Sequence, residues 1–217
     1  MADYSVMDTA LDRLSAFAPD LSNSFTNHAP MAIEAMCALG RSDAALPWLE
    51  KNWQYRGALL PRQRPSHPFD DWKAALGNEH SEDWAVALDA DFAAGHWRDG
   101  VTAWTKRLAP GVSAAALHGV IRVGHAARSL LDAETPQRRH ELRDAFAYWA
   151  AHYSAVPEAA GKVAPMPVAA ALARVARVPL ERQRRAGAIT SALHVLDAGF
   201  APVIDLLDVS GRPADVL

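Results

Sequence analysis

The stretch from Ala114 to Leu131, Ala-Ala-Ala-Leu-His-Gly-Val-Ile-Arg-Val-Gly-His-Ala-Ala-Arg-Ser-Leu-Leu, constrains the fold more than any other segment. Apolar residues recur on nearly every side of it at helical spacing, so it reads as a helix that has to be buried. One polar line crosses it. His118, Arg122 and His125 stand at i, i+4 and i+7 and project from one face. Buried imidazole and guanidinium groups need partners, so a metal, an anion, a substrate or a carboxylate is expected against that line.

A buried helix needs neighbours, and the composition supplies them. Half of the 217 residues are hydrophobic (50%), enough for a substantial core. A single domain over 1–217 is expected, with an internal boundary at about 154–167, where Pro157, Gly161, Pro165 and Pro167 cluster. The net charge of −3 offers no general attraction to nucleic acid or to anionic membranes. Arg182, Arg184 and Arg185 read as a solvated helix face, since no aromatic platform accompanies them. Cys37 is the only cysteine, which excludes an intramolecular disulfide and fits a reducing cytoplasm. It stands in the apolar run Ala35–Leu39, as a small buried hydrophobe would. The start of the chain shows no basic region followed by an apolar one, and no run approaches the roughly 20 apolar residues of a membrane span. A cytoplasmic chain without nucleic-acid or membrane partners is the expectation.

Helix signals dominate elsewhere too. Met7, Leu11 and Leu14 predict a helix over 7–17, stopped by Pro19. After a polar loop at 20–27, Pro30 suits the first turn of a second helix that Gly40 ends. Ser42 opens a third, reaching Asn52. Residues 55–68 differ: Pro61, Pro65 and Pro68 with Arg56, Arg62 and Arg64 predict a long irregular loop, of the kind that often serves as a lid or binding segment. Short helices are expected at 69–76, 82–94 and 96–108. The polar-striped helix should start at Ser113 as N-cap and end near Asp132, and Thr135-Pro136 opens another to about Tyr153. Further helical patterns cover 168–176, 180–198 and 202–208. No sustained alternation of β-branched residues occurs, so the fold class is all-α, a multi-helix array with a Pro/Arg-rich loop at about 55–68.

Several chemistries are excluded by motif. The chain has no phosphate-binding Gly-rich loop, no dinucleotide fingerprint, no His-Glu-x-x-His, no Gly-x-Ser-x-Gly and no Cys-x-x-Cys. The Glu-x-x-His pair of a ferritin-like di-iron site is also missing. A nicotinamide or flavin domain is therefore not expected. What remains is the histidine line. Seven helical residues separate the His118 and His125 α-carbons by about 10.5 Å, a span that two imidazoles can just close on one metal. The plainer alternative is that both histidines and Arg122 hydrogen-bond to carboxylates on neighbouring helices, and spacing alone leaves both open. Gly119 and Gly124 would let a helix or a flat ligand approach closely. Of the other histidines, His80 and His140 read as surface residues, His96 as a residue at a helix start, and His194 as a core residue. The tryptophans at 53, 72, 84, 97 and 104 mark helix packing or an aromatic pocket.

Two segments together carry a family resemblance: Asn27-His28-Ala29-Pro30-Met31 followed by Ala38-Leu39-Gly40, and His118-Gly119-Val120-Ile121-Arg122-Val123-Gly124-His125-Ala126-Ala127-Arg128. With Tyr148-Trp149-Ala150-Ala151-His152-Tyr153 after a Thr-Pro helix start, they make the chain resemble the questin oxidase-like family over about residues 10–209. The resemblance implies a helical oxidoreductase of aromatic polyketide tailoring. Such enzymes oxidise or open an aromatic or quinone small molecule with dioxygen and without bound flavin. It also implies a mononuclear non-haem Fe(II) centre held by histidines and a carboxylated lysine, with NADPH as a possible external reductant. Carried over residue by residue, His28, His118 and His125 would be metal ligands, and Arg122 would be a catalytic neighbour holding a substrate oxygen or a carboxylate.

Members of that family are about twice this length, and their remaining histidine and lysine come from a C-terminal half. No His followed four residues later by Lys occurs here, and Lys162 is the only lysine after Lys106. Three forms fit that departure: a truncated or split member that meets a partner chain, a homo-oligomer completing its site in trans, or a short form with altered chemistry. The alternative is a non-catalytic helical subunit that binds a ligand or a partner.

Overall fold

The computed structural model describes residues 1–22, 26–52, 59–66, 69–78 and 80–155, with a few single positions beyond. The chain divides into two compact units, Met1–Ser154 and Ala155–Leu217. The helical patterns read at 168–176, 180–198 and 202–208, the arginines at 182–185, and His67, His194, Trp53 and Lys162 fall outside the described residues or almost so. The first unit is a multi-helix array, as the sequence predicts. Its helices are α1 (Met7–Leu14), α2 (Ala29–Ala38), α3 (Ser42–Asn52), α4 (Trp72–Ala75), α5 (Ser81–Ala87), α6 (Trp97–Leu108), α7 (His118–Asp132) and α8 (Pro136–Ala151). No helix among the described residues is long and apolar enough to cross a membrane.

Two expectations are corrected. The first helix ends at Leu14, and Phe17–Leu21 instead forms a strand, β1, antiparallel to β2 (Leu59–Pro61). Pro19 has no N–H for a ladder, but its carbonyl accepts the Asn27 amide at 2.8 Å, so the strand serves to pin the entry to α2. The long loop at 55–68 is accordingly tied down in its middle, where the Arg62 amide reaches the Ala16 carbonyl at 2.9 Å. The second correction concerns α7, which begins at His118 and not at Ser113. Ala115, Ala116 and Leu117 take positive φ values of 46°, 54° and 70°. The reason lies on α8. The Trp149 indole donates to the Gly111 carbonyl at 2.9 Å, and Gly119 seats α7 against the same ring, where a Cβ would come within 2.7 Å of the Trp149 side chain. With both ends of the connection fixed on one indole, the intervening chain has to reverse, and a left-handed turn does so.

Two short helices are briefer than the sequence predicts, the one expected over 69–76 being Trp72–Ala75 and the one over 82–94 ending at Ala87, while several other starts and stops follow the sequence. Pro30 lies in the first turn of α2, and Gly40 follows it at φ +70°. Thr135 caps α8 by accepting the Arg138 amide. Ser42 opens α3, but its hydroxyl donates to Asp3.

Apolar burial makes two clusters. One joins α1, α2 and α3 through Met7, Leu11, Leu14, Ile33, Cys37 and Leu49. The other joins α5 to α8 around Trp84, Trp104, Phe146 and Trp149. The tryptophans at 84, 97 and 104 are 0–4% exposed and belong to this core, not to an aromatic pocket. Cys37 is fully buried and its thiol is pushed up to about 11, chiefly by burial, then by Glu34. It is packing.

Ion pairs and hydrogen bonds join the first cluster's helices to α7 and α8. Arg138, 3% exposed, binds Asp8 and Asp132 at 2.9 Å each, and donates to the carbonyls of Ser129 and Tyr4. Thr26 pairs with the Tyr148 hydroxyl, Arg62 with Asp144, and His152 with Asp20. This polar seam contains the histidine line.

Candidate functional site

Asn27 and His28 divide two tasks at the start of α2. The Asn27 side chain accepts the Ala29 amide at 3.1 Å, satisfying a free helix-start N–H, while His28 makes no capping bond. Its ring is therefore free to face α7. There it meets His118, with the two Nε2 atoms 2.9 Å apart and the rings edge to face at 89°. His118 Nδ1 lies 2.6 Å from the Ala115 carbonyl. A carbonyl only accepts, so Nδ1 carries the proton, and in the neutral ring Nε2 presents its lone pair toward His28. The left-handed turn thus has a consequence beyond reversal: it places the Ala115 carbonyl where it orients the His118 ring.

Two imidazole nitrogens bound to one metal at about 2.0–2.1 Å, with an angle between square and tetrahedral, stand roughly 2.9–3.4 Å apart. The His28–His118 separation fits that geometry, and it equally fits a simple N–H···N bond. A carbonyl behind the outer nitrogen is what metal-ligating histidines commonly have.

His125 does not join the pair. Its Nδ1 is 2.6 Å from Glu34 Oε2, a residue 91 positions away on α2. Glu34 is fully buried and also takes two bonds from Arg128, at 2.7 and 2.5 Å, and one from the Tyr4 hydroxyl at 2.6 Å. Burial alone would raise its pKa, but hydrogen bonds from Arg128, His125 and Tyr4 outweigh burial and bring it down to about 2. Tyr4 moves the other way, up to about 12, through burial and the adjacent Glu34 charge. Among the described residues no group of three or more His, Cys, Asp or Glu side chains is placed to hold a metal ion. Two of the three ligands implied by the resemblance are together, and the third is engaged elsewhere.

Arg122 is 4% exposed and grips Glu141 with two bonds, at 2.7 and 2.9 Å. Burial would lower its pKa, but Glu141, then Asp144 and Tyr148, more than compensate and raise it. No hydrogen bond joins it to His28, His118 or His125 among the described residues. The carboxylate partners weighed as the plain alternative thus exist for His125 and Arg122, while His118 faces another imidazole. Neither Glu34 nor Glu141 carries a spacing signal that sequence could have used.

Beside His28 lies a pocket of about 220 Å³ whose walls include Leu21, Trp48, Leu49 and Leu59, with Thr26 and Asn27 as polar points. Trp48 is its one aromatic wall among the described residues. Leu59 belongs to the segment expected to act as a binding loop. An apolar cleft with a few convergent polar groups is the usual form of a small-molecule site.

No family model, no curated protein and no solved structure matches the chain.

Proposed function

We propose that the chain is an oxygen-dependent oxidoreductase of the questin oxidase-like kind, acting on an aromatic or quinone small molecule in the pocket beside His28. One observation carries the reading: the Nε2 atoms of His28 and His118 converge at 2.9 Å, with His118 held in the ligating tautomer by the Ala115 carbonyl. These two residues would hold a non-haem metal, Fe(II), and His125 is not placed with them. When bound, the metal supplies sites at which dioxygen and a phenolic or quinone oxygen can meet. The chain's own residues do the rest. Trp48 and the leucines of the pocket bind the flat apolar body of the substrate and exclude water. Asn27, pinned by the Pro19 carbonyl, fixes where His28 stands. Arg122 holds the carboxylate of Glu141, and no hydrogen bond among the described residues carries it to the pair. The remaining ligands would come from a second copy or a partner chain, and a reductant from outside.

The test is metal content of anaerobically purified protein, measured by mass spectrometry beside the His118→Ala and His28→Ala variants. The reading expects close to one iron per chain, lost in both variants. No metal in any of the three, even after Fe(II) addition, would overturn it. A second reading, a non-catalytic helical binding subunit, is favoured by the lack of a third ligand beside the pair among the described residues. It treats the 2.9 Å contact as a hydrogen bond and expects a stable oligomer or a bound partner without metal.

A further inference from the structure

A second pocket, of about 210 Å³, shares Leu14 and Asn27 with the first, and neither His28 nor His118 lines it. Its volume, like that of the pocket beside His28, is below the roughly 300–1,000 Å³ that houses drug-sized ligands, so its occupant is small. Arg62, Arg122, Arg143, Glu141 and Asp144 supply most of the charged part of its polar lining. Arg122 takes both oxygens of Glu141, and Asp144 takes Arg62 at 2.6 Å and Arg143 at 2.9 and 3.1 Å. Three guanidinium groups thus share two buried carboxylates. The third balancing charge is Asp89, which pairs with Arg143 at 2.7 Å from a side chain that is 67% exposed, and Asp12 is exposed as well, so the positive excess is confined to the buried part of the lining.

Hydrogen-bond capacity is uneven in the same sense. Both oxygens of Glu141 and of Asp144 are used. Arg122 Nη1, by contrast, is buried with no partner, on a side chain only 5% exposed. A buried donor of this kind costs free energy unless something accepts from it. The apolar part of the lining includes Leu11, Leu14 and Phe17.

We propose that this pocket is a binding site for a small organic carboxylate with an apolar body, its oxygens accepting from Arg122 and Arg62 and its body lying on Leu11, Leu14 and Phe17. The site stands independently of the histidine pair.

Benzoate is the probe, titrated into the full chain at low ionic strength by calorimetry and followed by amide NMR. Saturable binding is expected, with shifts at Phe17 and Ala18, and with uncharged benzamide at least about tenfold weaker, a difference of about 1.4 kcal/mol. Arg122→Lys, which keeps charge but removes the fork, should weaken benzoate about tenfold or more. If that variant melts early by circular dichroism, Arg62→Met, in the more exposed part of the lining, decides, with a loss of about threefold or more expected. Absence of binding at about 10 mM benzoate, equal binding of benzamide, or unchanged affinity in Arg62→Met would overturn the proposal.

Discussion

Ala115, Ala116 and Leu117 are three consecutive residues with side chains in the left-handed region, a conformation that costs roughly 1–2 kcal/mol per residue for anything but glycine. A run of this kind persists only where its surroundings over-determine it, and here the Trp149 ring fixes both ends. Ala116 is exposed, so its replacement isolates the backbone term. Ala116→Gly should stabilise the protein by about 0.5–1 kcal/mol, the relief of strain less the extra chain entropy of glycine. Denaturant unfolding at equilibrium measures it, and a loss of stability would mean that the turn is not strained as described. The same scale shows what sequence could and could not reveal about the site. That His118, Arg122 and His125 need partners was legible from their apolar surroundings, and each has one. Which partner was not. Glu34 is 91 residues from His125 and sits in a run, Ala32–Leu39, that reads as uniformly apolar apart from it. Helical spacing placed three side chains on one face, but a face holds several partners side by side, and here it holds three: an imidazole, a carboxylate on α2 and a carboxylate on α8.

At the scale of elements, α7 and α8 show how two glycines in one helix differ. The Gly119 Cα rests on Trp149, where an added Cβ would lie 2.7 Å from the ring carbon Cγ, whereas around Gly124 nothing stands within 4 Å. Gly119→Ala should therefore destabilise by about 1–3 kcal/mol through overpacking. Gly124→Ala should stabilise by up to about 1 kcal/mol, because a helix interior favours alanine. Thermal melts of the two variants test the pair: opposite signs support this packing of α7 on α8, and a harmless Gly119→Ala would contradict it. Sequence treated both glycines alike, since their spacing holds no information about which side carries Trp149. Helix existence was legible nearly everywhere, from Pro30 and Gly40 around α2 to Thr135-Pro136 before α8, because these signals are local. The strand at Phe17–Leu21 was not. It has neither alternation nor β-branched residues, and its pairing with Leu59–Pro61 is a contact across some forty residues of chain that no local pattern encodes.

For the Met1–Ser154 unit as a whole, the decisive feature is that its two apolar clusters are joined through charge. Glu34 links α2 to α7, Asp8 links α1 to α8, and Asp144 ties α8 to the segment carrying Arg62. Two of these carboxyls have lowered pKa values. Burial would raise Asp144, but Arg62 and Arg143, with Arg122 beyond, overcome that and lower it, as Arg128, His125 and Tyr4 do for Glu34. A carboxyl whose folded pKa lies below its unfolded value binds protons more readily in the unfolded chain. Its stabilisation is therefore complete above the unfolded value, near 4.5 for Glu34, and is lost as pH falls through about 2. For Glu34 alone the loss is on the order of 3 kcal/mol across that window. Such a loss is a large share of the total stability of an ordinary domain. Melting temperatures recorded from pH 7 down to pH 2 should hold level to about pH 5 and then fall steeply. In Glu34→Gln the protein should start lower at pH 7, because Arg128 and His125 lose their anion, and should decline less steeply, so that the two curves approach each other near pH 2. Parallel curves would show that Glu34 is not the residue through which acid opens the seam between the two clusters.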